Sequence, residues 1–467
     1  MACASAMVLA LLACPPASGA PGVPDTQRAG AAGSGASCAA PPPGAALTLA
    51  WARDLALACN AAIQAARRGG EAGAADIEVA AQRPNPVLSL GVQNINPQAG
   101  VGSGSLRNKT VDSIVRVDQL IETANKGGLR VDAARANAAA ADEQIEAVAA
   151  VQTAALEQAF HDAAVAQERV SVLTEVVDLF QRTAQANQAR LKAGDMARAD
   201  VTRLDLEGLR AQADLREARA ASVRGRAELA EAMGIAGTLA DNPLVPAWPA
   251  LDAGLPSFDA ARLQRRPDIA AAEARLRAAT FARELARAGR VPDVTVGAQA
   301  EHYPVSATNQ QGSGNSFGVF VTIPLFVRHS NGGEARRAEV DYYAALDERN
   351  RVLLAARNEL ARTDSRLAAA RDALRQMRES VLPGAERVAA DAEFAYGKGA
   401  TGVLELLDAR RALRQTRLDA AAAQGEYANA MSAWLAARRL STLAPATATP
   451  VQLNDNPEES PADAPRR

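Results

Sequence analysis

The chain has 467 residues, 48% of them hydrophobic but only 3% aromatic, and a formal net charge of -2. So few aromatics amid abundant alanine, arginine, glutamate and leucine exclude a thick globular core and favour long helices packed through small side chains. The balanced charge gives no global signal for nucleic acid, and the basic and acidic residues interleave as they do on solvated helix faces.

The N-terminus carries "AMVLALLAC" (Ala6 to Cys14), followed by Pro15, Pro16 and the small residues Ser18, Gly19 and Ala20. This run is too short to span a bilayer and suits an export signal over residues 1–20. Two processing routes fit it. Leu11-Leu12-Ala13-Cys14 resembles a bacterial lipobox and makes Cys14 a candidate lipid anchor, whereas cleavage after Ala20 would leave no lipid. Of the four cysteines, Cys3 and Cys14 lie in the signal, Cys38 in a low-complexity linker (21–46) and Cys59 in a predicted helix. No CxxC pair supports zinc or thioredoxin-like chemistry. A Cys38–Cys59 disulfide and two unpaired thiols are both compatible with an oxidising compartment.

From Leu47, "LTLAWARDLALACNAAIQAARR" predicts a first helix. "RPNPVLSLGVQN" then alternates at period two, predicting a strand over about 86–96 with Leu88, Leu90 and Val92 opposite Ser89, Gly91 and Gln93. A Gly/Asn/Pro/Ser-rich loop (97–110) leads to a second strand, about 111–121, with Val111, Val115 and Val117 on one face and Asp112, Arg116 and Asp118 on the other. After "NKGGLR" a helix runs to about Lys192, and Val170, Leu173, Val177 and Phe180 keep the spacing of a coiled-coil seam. "AGDMA" interrupts the seam, which resumes through Val201, Leu204, Ala211 and Leu215.

That first repeat spans 47–235. Past a Pro-rich linker (236–256), a second repeat (257–440) restates every part in order, before a C-terminal tail (441–467). "RRPDIAAAEARLRAA" predicts the helix and "VPDVTVGAQA" the strand of about 291–303, where Pro292 to Gln299 match Pro86 to Gln93. A loop with Gly312 and Gly314 leads to "FGVFVTIPLF", a strand over about 316–327. Here Phe317, Val319, Val321 and Ile323 oppose Gly318, Phe320 and Thr322. "NGGEARR" opens a long helix whose seam runs from Leu353 through Leu367 to Val381. "YGKGATG" breaks it, and a return helix carries Leu406, Leu413, Tyr427 and Trp434. No other stretch approaches the ~20 uncharged apolar residues of a transmembrane helix.

Heptad seams alone describe an ordinary bundle; the strands do not fit one. Two-stranded hairpins leave exposed edges that must be paired, and four strands cannot close a barrel within one chain. Strands of about ten residues match a bilayer crossing at barrel tilt. Two copies would give a barrel filled by its own side chains, and three the smallest cyclic assembly with an aqueous channel. The expected fold is therefore mainly α with a β-barrel portion. Duplicated helical hairpins and four amphipathic strands per chain build a 12-stranded barrel and an α-tunnel as a trimer. Leu88, Leu90, Val92, Phe317, Val319, Val321 and Ile323 would face lipid, and helices of about 65 residues would reach ~97 Å from the barrel.

This order of parts resembles the TolC-like outer membrane efflux proteins over about residues 47–440. The match is carried by "RPNPVLSL", "RRPDIAAAEARLRAA", "VPDVTVGA", "VTIPLF" with "GGEARRAEV", and "AYGKGATGVLELLDARRALRQTRLDAAAAQGEYANA". "VRVDQLIETANKGGLR" further resembles the heavy-metal cation efflux (CzcC-like) branch. Leu120 stands where that branch carries proline, Leu129 follows the glycines, and Ala61 rather than proline follows Asn60. The resemblance implies a homotrimer in outer membrane lipid that extends into the periplasm. Its partners would be a periplasmic adaptor (membrane fusion) protein and an inner membrane pump of resistance-nodulation-division type. Conduction would be passive, without covalent chemistry or a cofactor. Multidrug efflux or type I secretion is the alternative within the family, and a coiled-coil scaffold the alternative outside it.

No catalytic constellation is present. His161, His302 and His329 fall in different elements with no metal-ligand spacing. The loop glycines precede no helix, so phosphate cradling lacks its dipole. The helix breaks are the better candidates: Gly194 and Asp195, with Gly399, Ala400 and Thr401, would form adaptor-docking hairpin tips. Plain helix-to-helix turns also call for glycine there. Asp391 and Glu393 precede the second break, as part of an acidic constriction or as a solvated face.

Overall fold

The structure, a computed structural model, describes residues 38–95, 111–239, 242–246, 248–251, 260–304 and 313–439. The export signal with Cys14, most of the first linker, Gly312 and the C-terminal tail lie outside them. The predicted first helix is two helices. α1 (Leu49–Cys59) starts on Thr48, whose side chain accepts from the Trp51 amide. It stops at Asn60, where the backbone turns extended and the side-chain oxygen accepts from the Ala62 and Ile63 amides to start α2 (Ala61–Ala81). Alanine-rich sequence on both sides hides this break, which rests on the short reach of one capping amide.

Strands β1 (Val87–Gln93) and β2 (Asp112–Ile121) lead into α3 (Lys126–Ala193), which returns as α4 (Arg198–Met233). The second repeat follows the same plan. A 3-10 turn (Ala260–Arg265) and α5 (Pro267–Ala288) precede β3 (Val294–Tyr303) and β4 (Gly314–Thr322), and then α6 (Gly332–Gln376), a π-turn (Met377–Val381), α7 (Leu382–Gly397) and the return helix α8 (Val403–Ala436). α3, with 68 residues, is about 100 Å long at 1.5 Å per residue. Both long helices start from an asparagine in the left-handed region, Asn125 and Asn331, a conformation asparagine tolerates better than most residues.

The strands differ from expectation in length and pairing. β4 ends at Thr322 rather than about 327, because Pro324 has no N–H for the ladder. The two predicted hairpins form one antiparallel sheet in the order β1-β2-β3-β4, joined across the repeats by β2 and β3. Among the described residues one edge on each side, β1 and β4, has no neighbouring strand.

The seams pack largely as their spacing requires. Leu173 and Val177 on α3 meet Ala211, Leu215 and Ala218 on α4. Leu367 and Leu374 on α6 meet Tyr427, Ala430 and Trp434 on α8. The α6 seam fails at Val381, which is 39% exposed. Pro383 cannot donate to the carbonyl one turn back, and the π-turn before it accommodates the ring. Its extra residue per turn swings the following side chains off the seam.

A belt crosses the helices midway. Leu47, Ala52, Leu55 and Ala56 pack on Leu156, Phe160 and Ala163 of α3 and on Leu229 and Met233 of α4, with Leu239 and Leu244 of the linker closing over them. Residues 38–47 are not a free linker here: Ala39 bridges Ala236 and Leu47 bridges Leu244, both in parallel. Cys38 and Cys59 form a disulfide across a sequence separation of 21, which settles the alternatives left by the sequence. Cross-linking a loop of that size stabilises by about 2–4 kcal/mol, chiefly by restricting the unfolded chain. Cys59→Ser is therefore expected to lower the thermal midpoint, and a reductant should lower the wild type to match; a midpoint indifferent to both would mean the bond adds nothing.

Candidate channel wall and hairpin tips

The strand register decides which side chains share a face. On one face lie Leu88, Val117, Ala298 and Val319, then Leu90, Val115, Ala300 and Phe317, with Val296 beside Val321 and Val92 beside Ser113. Leu90, Phe317 and Val319 are 73%, 68% and 78% exposed, and Ile323 continues the apolar face just past the end of β4. Every Asp, Glu and Arg of the strands (Asp112, Arg116, Asp118 and Glu301) lies on the opposite face, with Ser89, Gln93, Gln299 and Phe320. The period-two reading of the sequence predicts this division for the residues it assigns in β1, β2 and β4.

Where sheet meets helices, ion pairs hold the junction. Lys126 donates to Asp293 at 2.7 Å and Arg130 to Glu122 at 2.6 Å. Burial alone would raise the Asp293 pKa, but the bonds from Lys126 and Thr123 outweigh it and hold the carboxyl below its ordinary value.

At the far end the two breaks share one geometry. Gly194 and Gly399 adopt φ of 83° and 75°. The Gly194 amide donates to the Leu191 carbonyl and the Asp195 amide to that of Arg190; Gly399 donates to Tyr396 and Ala400 to Ala395. This is the Schellman closure that satisfies the last carbonyls of a helix. The tips sit side by side: Met196, Val201 and Leu204 of the first pack on Val403 and Leu407 of the second, and Arg190 lies over the Tyr396 ring at 5.6 Å. A Cβ at Gly194 or Gly399 would meet nothing within 4 Å. Thr401 buries its hydroxyl with no hydrogen-bond partner among the described residues. Asp391 is exposed, and Glu393 is held by Arg410 at 3.0 Å.

One constellation was not singled out from the sequence. "RRALRQTR" places Arg410, Arg411, Arg414 and Arg417 along α8, where they pair with Glu393 of α7, Glu207 and Asp214 of α4 and Glu175 of α3. The spacing was visible, but the acids lie up to 242 residues away. A groove of about 340 Å³ runs along this seam, lined by these arginines together with Leu179, Phe180 and Leu413. The Arg411 hydrogen bond lowers the Glu207 pKa; burial opposes this, and Arg210 adds to the lowering. A depressed folded value means the link stabilises fully above the ordinary 4.5 and is lost as pH falls through the depressed one. Both arginines are partly hydrated, so about 1 kcal/mol is at stake. Glu207→Gln should thus lower the melting point at neutral pH but not below the carboxylate range; an equal loss at both would reject the link.

The histidines remain apart. His161 contacts Asn429, His302 contacts Asn315 and His329 contacts Glu334, and burial lowers the His161 pKa. Among the described residues no three His, Cys, Asp or Glu side chains come together as a metal site, and no helix is long and apolar enough to cross a membrane.

An open two-faced sheet, carried on helical hairpins of this length and built twice in one chain, is the protomer of a barrel-and-tunnel channel. The family model for outer membrane efflux proteins matches residues 52–235 and 261–437, and the chain belongs to that family. It is similar to the cobalt-zinc-cadmium resistance protein CzcC of Cupriavidus metallidurans, 27% identical over 382 residues, covering 80% of this chain and 85% of CzcC. Protein CyaE of Bordetella pertussis is 30% identical over 342 residues, 69% of this chain and 70% of its own. The outer membrane protein VceC of Vibrio cholerae superposes with a TM-score of 0.66 at 19% identity, over 83% of this chain and 95% of VceC. The protein is thus placed in the outer membrane, with its helices in the periplasm.

Proposed function

We propose that the chain is the outer membrane channel of a tripartite efflux system that passes divalent heavy-metal cations to the exterior without covalent chemistry or a cofactor. The observation that carries this is the sheet: amphipathic across all four strands and open at β1 and β4. Lipid supplies no partner for edge amides and carbonyls, so β1 of one copy must meet β4 of another until the ring closes. Three copies close a channel wide enough for water, with the Leu88 to Val319 face toward lipid and the Arg116 face toward the lumen. Some 100 Å away, the paired tips around Gly194 and Gly399 meet a periplasmic adaptor, which couples them to an inner membrane pump of resistance-nodulation-division type. The metal assignment rests on the similarity to CzcC.

Two measurements test this reading. Deleting the protein should sensitise cells to divalent heavy-metal cations more than to hydrophobic antibiotics; the reverse pattern would move it to multidrug efflux. Gly399→Trp should abolish efflux while trimers still reach the outer membrane. The left-handed backbone makes the substitution cost only about 1–2 kcal/mol, and the side chain enters open space. Normal efflux by that variant would remove the docking role from the turn.

A further inference from the structure

The two repeats align in sequence at a single offset, which sets Pro86 on Pro292, Gly91 on Gly297 and Asn125 on Asn331. The strands keep that offset. Gly91 pairs with Ile114 as Gly297 pairs with its counterpart Phe320, so both hairpins have one register, and Asn125 and Asn331 share a left-handed backbone. One segment breaks the match. β2 runs on to Ile121, whereas β4 stops at Thr322 and residues 323–327 are not strand. Gln119, Leu120 and Ile121 lie beyond the reach of β1, and β3 alone holds them, through Val296, Thr295 and Val294. Their counterparts are Leu325, Phe326 and Val327. The counterparts of Val294 to Val296 are Leu88 to Leu90 of β1, at the opposite edge of the sheet. Leu325 and Val327 are meanwhile 79% and 84% exposed.

We propose that residues 323–327 become strand only against β1 of a second copy, in the register that β2 keeps with β3 inside one chain: Val327 opposite Leu88, Leu325 opposite Leu90 and Ile323 opposite Val92. This rests on the ring of copies closing through these edges. The faces agree, since every one of these pairs is apolar and lies on the Leu88 face. A slip by one residue would set Leu325 against Ser89 or Gly91 and turn one strand over. The register also gives Gly91 a purpose, because glycine inside a strand marks a close approach. Within its own chain an added Cβ would make only ordinary contact, 3.7 Å from the Ile114 Cβ. At the seam Gly91 faces the ring of Pro324, just as Gly297 faces Asp118, where a Cβ would overlap the carboxylate. Pro324 forfeits at most one ladder bond there. The β4 edge is thus left short in the single chain and is completed by the copy that covers it.

The test places paired cysteines in the full-length protein and oxidises outer membrane fractions with copper phenanthroline, Cys38 and Cys59 being already bonded to each other. Residues directly opposite across an antiparallel pair lie about 4.5–5.5 Å apart at Cα. That is within the span of a disulfide, whereas residues two places along lie past its limit of about 7 Å. Leu325→Cys with Leu90→Cys, and Val327→Cys with Leu88→Cys, should pass from monomer to covalently linked copies on non-reducing gels. Leu325→Cys with Leu88→Cys or with Val92→Cys should stay monomeric under the same oxidant, as should each single variant. Linkage of Leu325→Cys to Leu88→Cys or Val92→Cys instead would overturn the register and leave the ring standing. No linkage in any pair, in variants that still give heat-resistant oligomers, would remove residues 323–327 from the seam. Absence of oligomers from the wild type as well would overturn the ring itself.

Discussion

Val319→Arg is expected to keep the protein out of the outer membrane. Val319 is 78% exposed and sits mid-strand opposite Ala298, in a row with Val117 and Leu88. A guanidinium near the bilayer midplane costs about 2–4 kcal/mol on the lipid face of a barrel. Each copy pays it, so a closed ring of several copies multiplies the penalty. Val321→Arg carries the same sign. Arginine at Gln93 or Thr322, on the opposite face, should be tolerated, as the proposed lining of an aqueous channel requires. Heat-resistant oligomer bands in outer membrane fractions read the result, and equal tolerance on both faces would mean the faces are wrongly assigned.

Gly234→Ala should destabilise the protein more than Gly194→Ala, although both glycines close a helix in the same way. Gly234 has φ of 74°, and its amide and that of Ile235 donate to Glu231 and Ala230. The left-handed backbone costs either alanine about 1–2 kcal/mol. At Gly194 nothing lies within 4 Å of the added carbon, but at Gly234 it would stand 2.5 Å from the Cys59 carbonyl oxygen and 2.7 Å from the Asn60 Cα. Those atoms are backbone at the α1–α2 break and cannot swing aside, so overpacking adds about 1–3 kcal/mol. Thermal unfolding of the two purified variants separates the terms. Equal shifts would show that the close approach in the belt does not form.

The division of the strands into two faces could be read from the sequence because period-two alternation is a local property, and Leu88 and Arg116 each declare their side without reference to the partner strand. The pairing of β2 with β3 could not, since nothing near Gln119 signals Val296. The seams from Leu173 to Val177 and from Leu367 to Leu374 were legible for the same local reason. The reading failed where one residue overrode a periodic background. Asn60 caps a new helix within an unbroken alanine pattern, and Pro383 shifts the α6 seam so that Val381 leaves it. Of the candidate sites, the tips were legible as glycines that a left-handed turn requires. That the two tips touch through Met196 and Val403 was not, and neither were the acids that meet Arg411 and Arg414, because tertiary partners leave no trace in spacing.

The belt also bears on the order in which the molecule can form. Within each helical hairpin, contacts spread outward from a short turn, so little loop entropy is lost at any step. The bridge between Leu47 and Leu244 instead joins segments about two hundred residues apart, a closure that must wait until the whole first hairpin has been made and folded back. Through that interval the segment before α1 has no strand to lie against. The Cys38–Cys59 bond holds it in place against the end of α1, where Gly234 will later dock. A bond across a sequence separation of 21 closes a far shorter loop than the Leu47–Leu244 bridge does, so it costs less chain entropy to make first.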